Sequence, residues 1–249
     1  MVQTIVFANQ KGGVGKTTST VNLGACFAER GKRTLLVDFD PQGNLSSALG
    51  IFKPTFGMYQ VITGVATMSQ VICHTEQEFL DVAPSNVDLS AASLELAELD
   101  HREFYLKRAL NSIKDNYDFI LIDCPPSLDL LTINGVVAAD WIVIPVQCEF
   151  FAAQGFFNLL FSTITSLQKN LNPSLKVLGV IFTMYDARTK LGQEVIQMIV
   201  NRVNNPSLFF KTVIPRNIKL AEAPSHGQPI TLYAGASSGA HRYRVLANE

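Results

Sequence analysis

Short, unbroken apolar runs recur along this chain, separated by longer stretches in which apolar positions return every three or four residues. A run of five or six apolar residues without polar alternation suits a strand buried on both faces, and the wider spacing suits helices that bury one face. The runs predict strands over Thr4–Ala8, Thr34–Phe39, Phe79–Ala83, Phe119–Asp123, Trp141–Val146 and Lys176–Met184, with a short seventh around Thr212–Ile214. Helices are predicted over Thr17–Arg30, Ser90–Leu99, Phe104–Asp115, Leu130–Ala138, Phe157–Lys169 and Gly192–Val203, with a terminal piece from Ser238. This alternation implies an α/β architecture, a doubly wound and mostly parallel sheet with helices on both faces. Gly24, Ala25 and Ala28 would let the first helix approach the sheet closely. No repeat or low-complexity linker interrupts the pattern, so residues 1–249 read as a single domain.

With 249 residues, 47% hydrophobic and 16% charged, the chain can bury a large core and is too apolar for disorder. It has no uncharged apolar run of 18 residues, and Met1-Val2-Gln3 leads straight into a strand without signal-peptide architecture, so a cytoplasmic protein is expected. Cys26, Cys73, Cys124 and Cys148 lie far apart and form no CxxC pair. That spacing argues against a zinc site, a disulfide framework or a cysteine-held cluster.

Specific chemistry enters directly after the first predicted strand, in Lys11-Gly12-Gly13-Val14-Gly15-Lys16-Thr17-Thr18. A glycine-rich turn between a strand and a helix can aim its amides at an anion, and the helix adds the positive end of its dipole. Lys16 is placed to reach the β- and γ-phosphates, and Thr17 to ligate the Mg²⁺ that bridges them. The segment reads as a nucleoside triphosphate site of the P-loop, Rossmann-like kind. At the end of the second strand, Asp38 and Asp40 in Val37-Asp38-Phe39-Asp40-Pro41-Gln42-Gly43 put two carboxylates where doubly wound sheets bind ligands. Asp38 is expected near the Mg²⁺-bound water by Thr17, and Asp40 at the start of a loop that positions the attacking water. The run Phe119-Ile120-Leu121-Ile122-Asp123 has the Walker B form, with Asp123 at its tip as a second metal-site carboxylate. Thr183-Met184-Tyr185-Asp186 lies where related GTPases carry a lysine before the aspartate that reads guanine, and Met184 in that place disfavours GTP.

The general pattern has glycine where this chain has Gln10, and a second lysine, Lys11, stands beside it. On this deviant Walker A motif the chain resembles the ParA/MinD family of P-loop ATPases. The resemblance extends to Val143–Ala152, Tyr185–Thr189 and Ile214–Gly227, which look like the chromosomal branch of ParA, often called Soj. It implies a slow ATPase that uses ATP and Mg²⁺ and passes from monomer to an ATP-sandwich homodimer. Within it, Lys11 crosses to the partner's phosphates, Asp40 activates water in switch I, and Pro125-Pro126-Ser127 forms switch II. It also implies adenine flanked by Met184, Pro215 and Asn217.

The charges nearly balance, 20 basic to 21 acidic, yet they segregate. Between Glu76 and Glu103 there are eight acidic residues and one basic; between Lys176 and Lys219 there are seven basic and two acidic. Such asymmetry steers a polyanion toward one face. The resemblance implies that Arg188, Arg216 and Lys219 bind non-specific DNA, giving nucleoid association, and that a ParB-like adaptor stimulates hydrolysis. The acidic stretch, with Glu95 and Glu98, is a candidate receptor for a basic adaptor peptide. The segment Tyr233–Ala240 departs from relatives that carry arginine there. Two alternatives stand beside chromosome or plasmid partitioning: positioning of a non-DNA cargo, and a membrane-associated switch like MinD. The tail His241–Glu249 is short and poor in large apolar residues, so no stable membrane association is expected.

Overall fold

The computed structural model describes residues 2–149, 156, 157 and 159–249. Strands form over β1 (Gln3–Phe7), β2 (Thr34–Asp38), β3 (Cys73–His74), β4 (Leu80–Ala83), β5 (Phe119–Asp123), β6 (Trp141–Gln147) and β7 (Lys176–Thr183). They make one sheet in the order β3-β4-β2-β5-β1-β6-β7. Every pairing is parallel except β3 with β4. The predicted doubly wound, mostly parallel sheet is therefore present.

Strand alternation distributes the apolar runs to two cores. Val6, Leu35, Val37, Ile120 and Ile122 join one buried cluster, while Ile5, Phe7, Leu36 and Leu121 join the other. Helices α1 (Lys16–Ala28), α2 (Asn44–Ala48), α3 (Met58–Ile62), α4 (Met68–Val71), α5 (Leu89–Glu95), α6 (Tyr105–Asn111) and α7 (Leu130–Ala138) precede β6. After β6 come a π-helical stretch, Leu159–Ile164, and α8 (Thr165–Asn170), then α9 (Lys190–Val203), α10 (Ile218–Glu222), α11 (Ile230–Tyr233) and α12 (Ser238–Leu246). Side chains of α6, α7 and α9 fill the first core, and those of α1, α10, α11 and α12 fill the second.

α1 does approach the sheet closely at Gly24. A Cβ there would lie 2.5 Å from Leu36 Cδ2 and 3.2 Å from Leu121 Cδ1, so only glycine fits without moving the core. α12 also docks on α1. Tyr243 is buried with its hydroxyl 3.2 Å from Ser19 Oγ, and Arg244 pairs with Glu29 at 2.8 Å.

One strand expectation is corrected. Thr212–Ile214 runs beside β7 without forming a strand, making only scattered bonds such as Ile214 N–H to the Phe182 carbonyl. The amides of Lys211 and Thr212 donate instead to the Glu249 carboxylate, and Pro215 has no N–H to offer a ladder. The seventh strand is the two-residue β3 at the opposite edge. The predicted helix Phe157–Lys169 is split by the π-helical stretch, and its residue 158 lies outside the described residues. The end of the Val143–Ala152 segment, from Phe150 onward, also lies outside them.

Candidate active site

β1 ends at Phe7, and the chain turns through the glycine-rich loop into α1. Asn9 pins the start of that turn, donating from Nδ2 to the Pro145 carbonyl at 2.7 Å and accepting from the Lys11 amide at 3.0 Å. Thr183 Oγ1 pins the far side by donating to the Val14 carbonyl at 2.8 Å. Gly15 (φ +87°) caps α1 from the left-handed region, where a side chain would be strained. Among the described residues no side chain caps this 13-residue helix, so its first-turn amides remain available to an anion.

The charged groups gather where three strands end. Asp38 and Asp123 occupy paired positions on β2 and β5, and Phe7, just before the loop, pairs with Asp123 from the other side. Thr17 Oγ1 donates to Asp123 Oδ2 at 2.6 Å. The other oxygen, Asp123 Oδ1, is buried and has no hydrogen-bond partner among the described residues. Burial, with Asp38 nearby, pushes the Asp123 carboxyl up to about 8, against the opposing pull of Thr17 and Lys16. Burial lowers the Lys16 ammonium from its ordinary value, while Asp123 acts to raise it.

Asp38 is fully buried and tied to protein at both oxygens. Oδ2 accepts from the Ser46 amide at 2.8 Å and the Ser46 hydroxyl at 2.6 Å, and Oδ1 accepts from the Asp40 amide at 3.3 Å. Burial pushes it up to about 6, with the Ser46 bonds opposing. Ser46 Oγ also accepts from the Ser85 amide at 3.0 Å, so Asp38 anchors the loop after β2 to the end of β4. Asp40 is buried, and its Oδ1 accepts from the Gln42 amide at 3.0 Å.

A cavity of about 480 Å³ opens in front of these groups. Among its lining residues are Gly12, Gly13, Gly15, Lys16, Thr17, Thr18 and Asp40, together with Pro126 of the predicted switch II. Asp38 and Asp123 stand behind it. A second cavity, about 230 Å³, shares Gly15, Thr18 and Met184 with the first and adds Pro215 and Asn217. All three predicted base-flanking residues thus meet beside the loop. Met184 holds a left-handed backbone (φ +51°), a strained conformation for a side-chain-bearing residue. Asn217 caps α10 with its side-chain oxygen and donates to Ser238 Oγ at 2.8 Å. Of the predicted nucleotide-contacting residues, two line neither cavity: Val14 is buried, and Lys11 turns aside to Glu149.

The predicted DNA-contacting residues separate. Arg188 and Arg216 line one broad groove of about 910 Å³ together with Lys211 and Arg242, whereas Lys219 lies outside it, paired with Glu222 at 2.8 Å. Arg188 is itself paired with Asp186 at 2.7 Å. Arg242 went unrecognised because it sits in the C-terminal helix, joined to Arg216 only by folding. In the acidic stretch, Glu95 accepts from the Tyr59 hydroxyl at 2.8 Å. Pro224 and Gln228, which line the main cavity, carry no motif that points to a nucleotide.

A family model described as an AAA domain matches residues 2–177. The chain is 51% identical to the chromosome-partitioning ATPase Soj of Treponema pallidum, covering all of this chain and 97% of that protein. It is likewise 51% identical to the sporulation initiation inhibitor protein Soj of Bacillus subtilis, covering all of this chain and 98% of the relative. Among solved structures it resembles cobyrinic acid a,c-diamide synthase from Mycobacterium smegmatis with bound ADP and magnesium. The two are 37% identical with a TM-score of 0.88, over all of this chain and 93% of that one.

Proposed function

The chain belongs to the ParA/Soj family of partitioning ATPases, and from that premise we propose that ATP drives it into a homodimer that binds non-specific DNA and releases it after hydrolysis stimulated by a ParB-like adaptor. Lys16 binds the β- and γ-phosphates, and the α1 amides add to that site. Thr17 and Asp123 hold Mg²⁺, for which the unpartnered Asp123 Oδ1 is a fitting buried acceptor. When bound, Mg²⁺ supplies positive charge against the phosphate oxygens. Asp38 sets the position of Asp40 through the Asp40 amide and of the following loop through Ser46. Asp40, facing the cavity with one oxygen committed to Gln42, orients water toward the γ-phosphorus as the bond to the bridging oxygen breaks and ADP leaves. Lys11 reaches the partner's phosphates, and the second cavity takes adenine between Met184, Pro215 and Asn217.

The observation that carries this reading is Arg216, which lines both the second cavity and the basic groove. Nucleotide occupancy and the surface offered to DNA thereby share a residue. Phosphate contacts act together, each adding about 0.9 to the salt slope, so two grooves in a dimer bind duplex DNA that one holds poorly. Bound in this way, the protein would reside on the nucleoid. Among the described residues no helix is long and apolar enough to cross a membrane, and α12 buries Ala240, Tyr243 and Leu246 within the fold.

The test is binding of the Asp40→Ala protein to non-specific duplex DNA with ATP, ADP or no nucleotide, across a salt series. ATP-dependent binding that weakens steeply with salt is expected. Binding indifferent to nucleotide, or absent, would overturn the DNA reading and favour a membrane or protein-scaffold switch.

A further inference from the structure

We infer that Glu149 and Gln147 form a holder for Lys11 within its own chain, and that opening this holder sets the threshold for ATP-driven dimerisation. Lys11 Nζ lies 3.1 Å from Glu149 Oε2 and 3.4 Å from Gln147 Oε1. Gln147 Nε2 donates to Glu149 Oε1 at 2.6 Å, so the two acceptors orient one another. Gln147 ends β6 and Glu149 lies two residues beyond it; the Pro145 carbonyl of the same strand receives Asn9, and Asn9 in turn accepts from the Lys11 amide. The backbone and the side-chain end of Lys11 are thus both fixed by the same strand terminus. The ammonium is aimed at a carboxylate of its own protomer, and Lys11 does not line the nucleotide cavity.

The inference rests on the proposed crossing of Lys11 between protomers. A lysine that must reach a partner's phosphates has first to leave Glu149 and Gln147, and a dimer opens two such holders. Side-chain exposures of 34% for Lys11 and 51% for Glu149 mean that water replaces part of the broken pairing. Exposed ion pairs of this kind correspond to about 1.5- to 5-fold each, hence about 2- to 25-fold in the dimer constant for two. The concentration at which the dimer forms is raised by that factor, a cost small enough for triphosphate binding to overcome. The Gln147-Cys148-Glu149 segment would act only on the monomer–dimer step, because neither Gln147 nor Glu149 lines either cavity beside the loop.

Sedimentation of the parent, Glu149→Gln and Lys11→Ala proteins, with Mg²⁺ and an ATP analogue whose β–γ link resists hydrolysis, tests this. Glu149→Gln should dimerise about 2- to 25-fold more tightly than the parent, with the advantage shrinking as salt rises, while its monomer binds the analogue as the parent does. Lys11→Ala should remain monomeric. If Glu149→Gln dimerises no better than the parent while Lys11→Ala stays monomeric, the holder is wrong and the crossing stands. If Lys11→Ala dimerises like the parent, the crossing fails and the holder falls with it.

Discussion

Asp38 and Asp123 face one another across the β2–β5 pairing, two buried carboxylates at the same register position on neighbouring strands. Their surroundings make them unlike. Asp38 is satisfied by Ser46 and the Asp40 amide, whereas Asp123 keeps one oxygen without a partner. Burial holds the first at about 6 and the second at about 8. Both values exceed the ordinary aspartate value of about 3.9, so the folded state holds these protons more firmly than the unfolded chain. Their contribution to stability is therefore full below about pH 4 and is lost as pH rises through about 6 for Asp38 and about 8 for Asp123.

On the proposed reading, cation binding would reverse the preference at Asp123, because Mg²⁺ would select the carboxylate and expel its proton. Mg²⁺ affinity at fixed nucleotide should then rise with pH, by up to about tenfold per unit, until about pH 8 and flatten above it. Calorimetry in two buffers of different ionisation enthalpy reads the proton released. Nucleotide phosphates titrate too, so the comparison is with Asp123→Asn, in which the pH-dependent increment should vanish. An unchanged increment in that variant would remove Asp123 from the metal site.

Much of this site was legible in the sequence because its parts are local. β5 and α7 match their predicted limits, the first as an uninterrupted apolar run and the second because Asp129 caps it by accepting from the Leu131 and Thr132 amides. The short helices α2, α3 and α4 were not legible, since one turn of four or five residues has too little periodicity to read. Thr212–Ile214 looked like a strand until the Glu249 carboxylate, 37 residues from Thr212, took the Thr212 amide. The holder of Lys11 was equally hidden, joining residues 138 apart.

Lys16 should govern nucleotide affinity without governing the fold. It is buried beside Asp123 at the head of α1, and its charge is poised there at the cost of desolvation. Removing one member of a buried charge pair costs roughly 2–5 kcal/mol, so Lys16→Ala should bind ATP about 30-fold more weakly or worse. A thermal melt without nucleotide should remain cooperative. Normal ATP affinity in the folded variant would sink the phosphate assignment.

Gly24 offers a stability test away from the chemistry. The methyl of Gly24→Ala would press on Leu36 and Leu121 beneath α1, where neither leucine is exposed. Helix propensity alone favours alanine by about 1 kcal/mol, whereas overpacking a close-packed core costs typically 1–3 kcal/mol. The core should win, giving net destabilisation of up to about 2 kcal/mol by urea unfolding with the slope unchanged. A more stable variant would mean that α1 can lift from the sheet without loss.

The basic residues should sort by their local partners. Arg216, Lys211 and Arg242 line the groove, Arg188 shares it while paired to Asp186, and Lys219 is outside, held by Glu222 and lying 5.6 Å from the Tyr233 ring centroid. Removing one phosphate-binding charge should lower the salt slope of DNA binding by about 0.9 per protomer. Arg216→Ala and Arg242→Ala should each show that change in the ATP-bound dimer, read by fluorescence anisotropy on a non-specific duplex over a salt series. Lys219→Ala should leave the slope close to the parent's, because Lys219 lies outside the groove. Arg188→Ala should fall with the groove residues, since an exposed pair worth at most about 1 kcal/mol yields to a phosphate. If Lys219→Ala lowers the slope and Arg242→Ala does not, the DNA path runs along α10 and away from the groove.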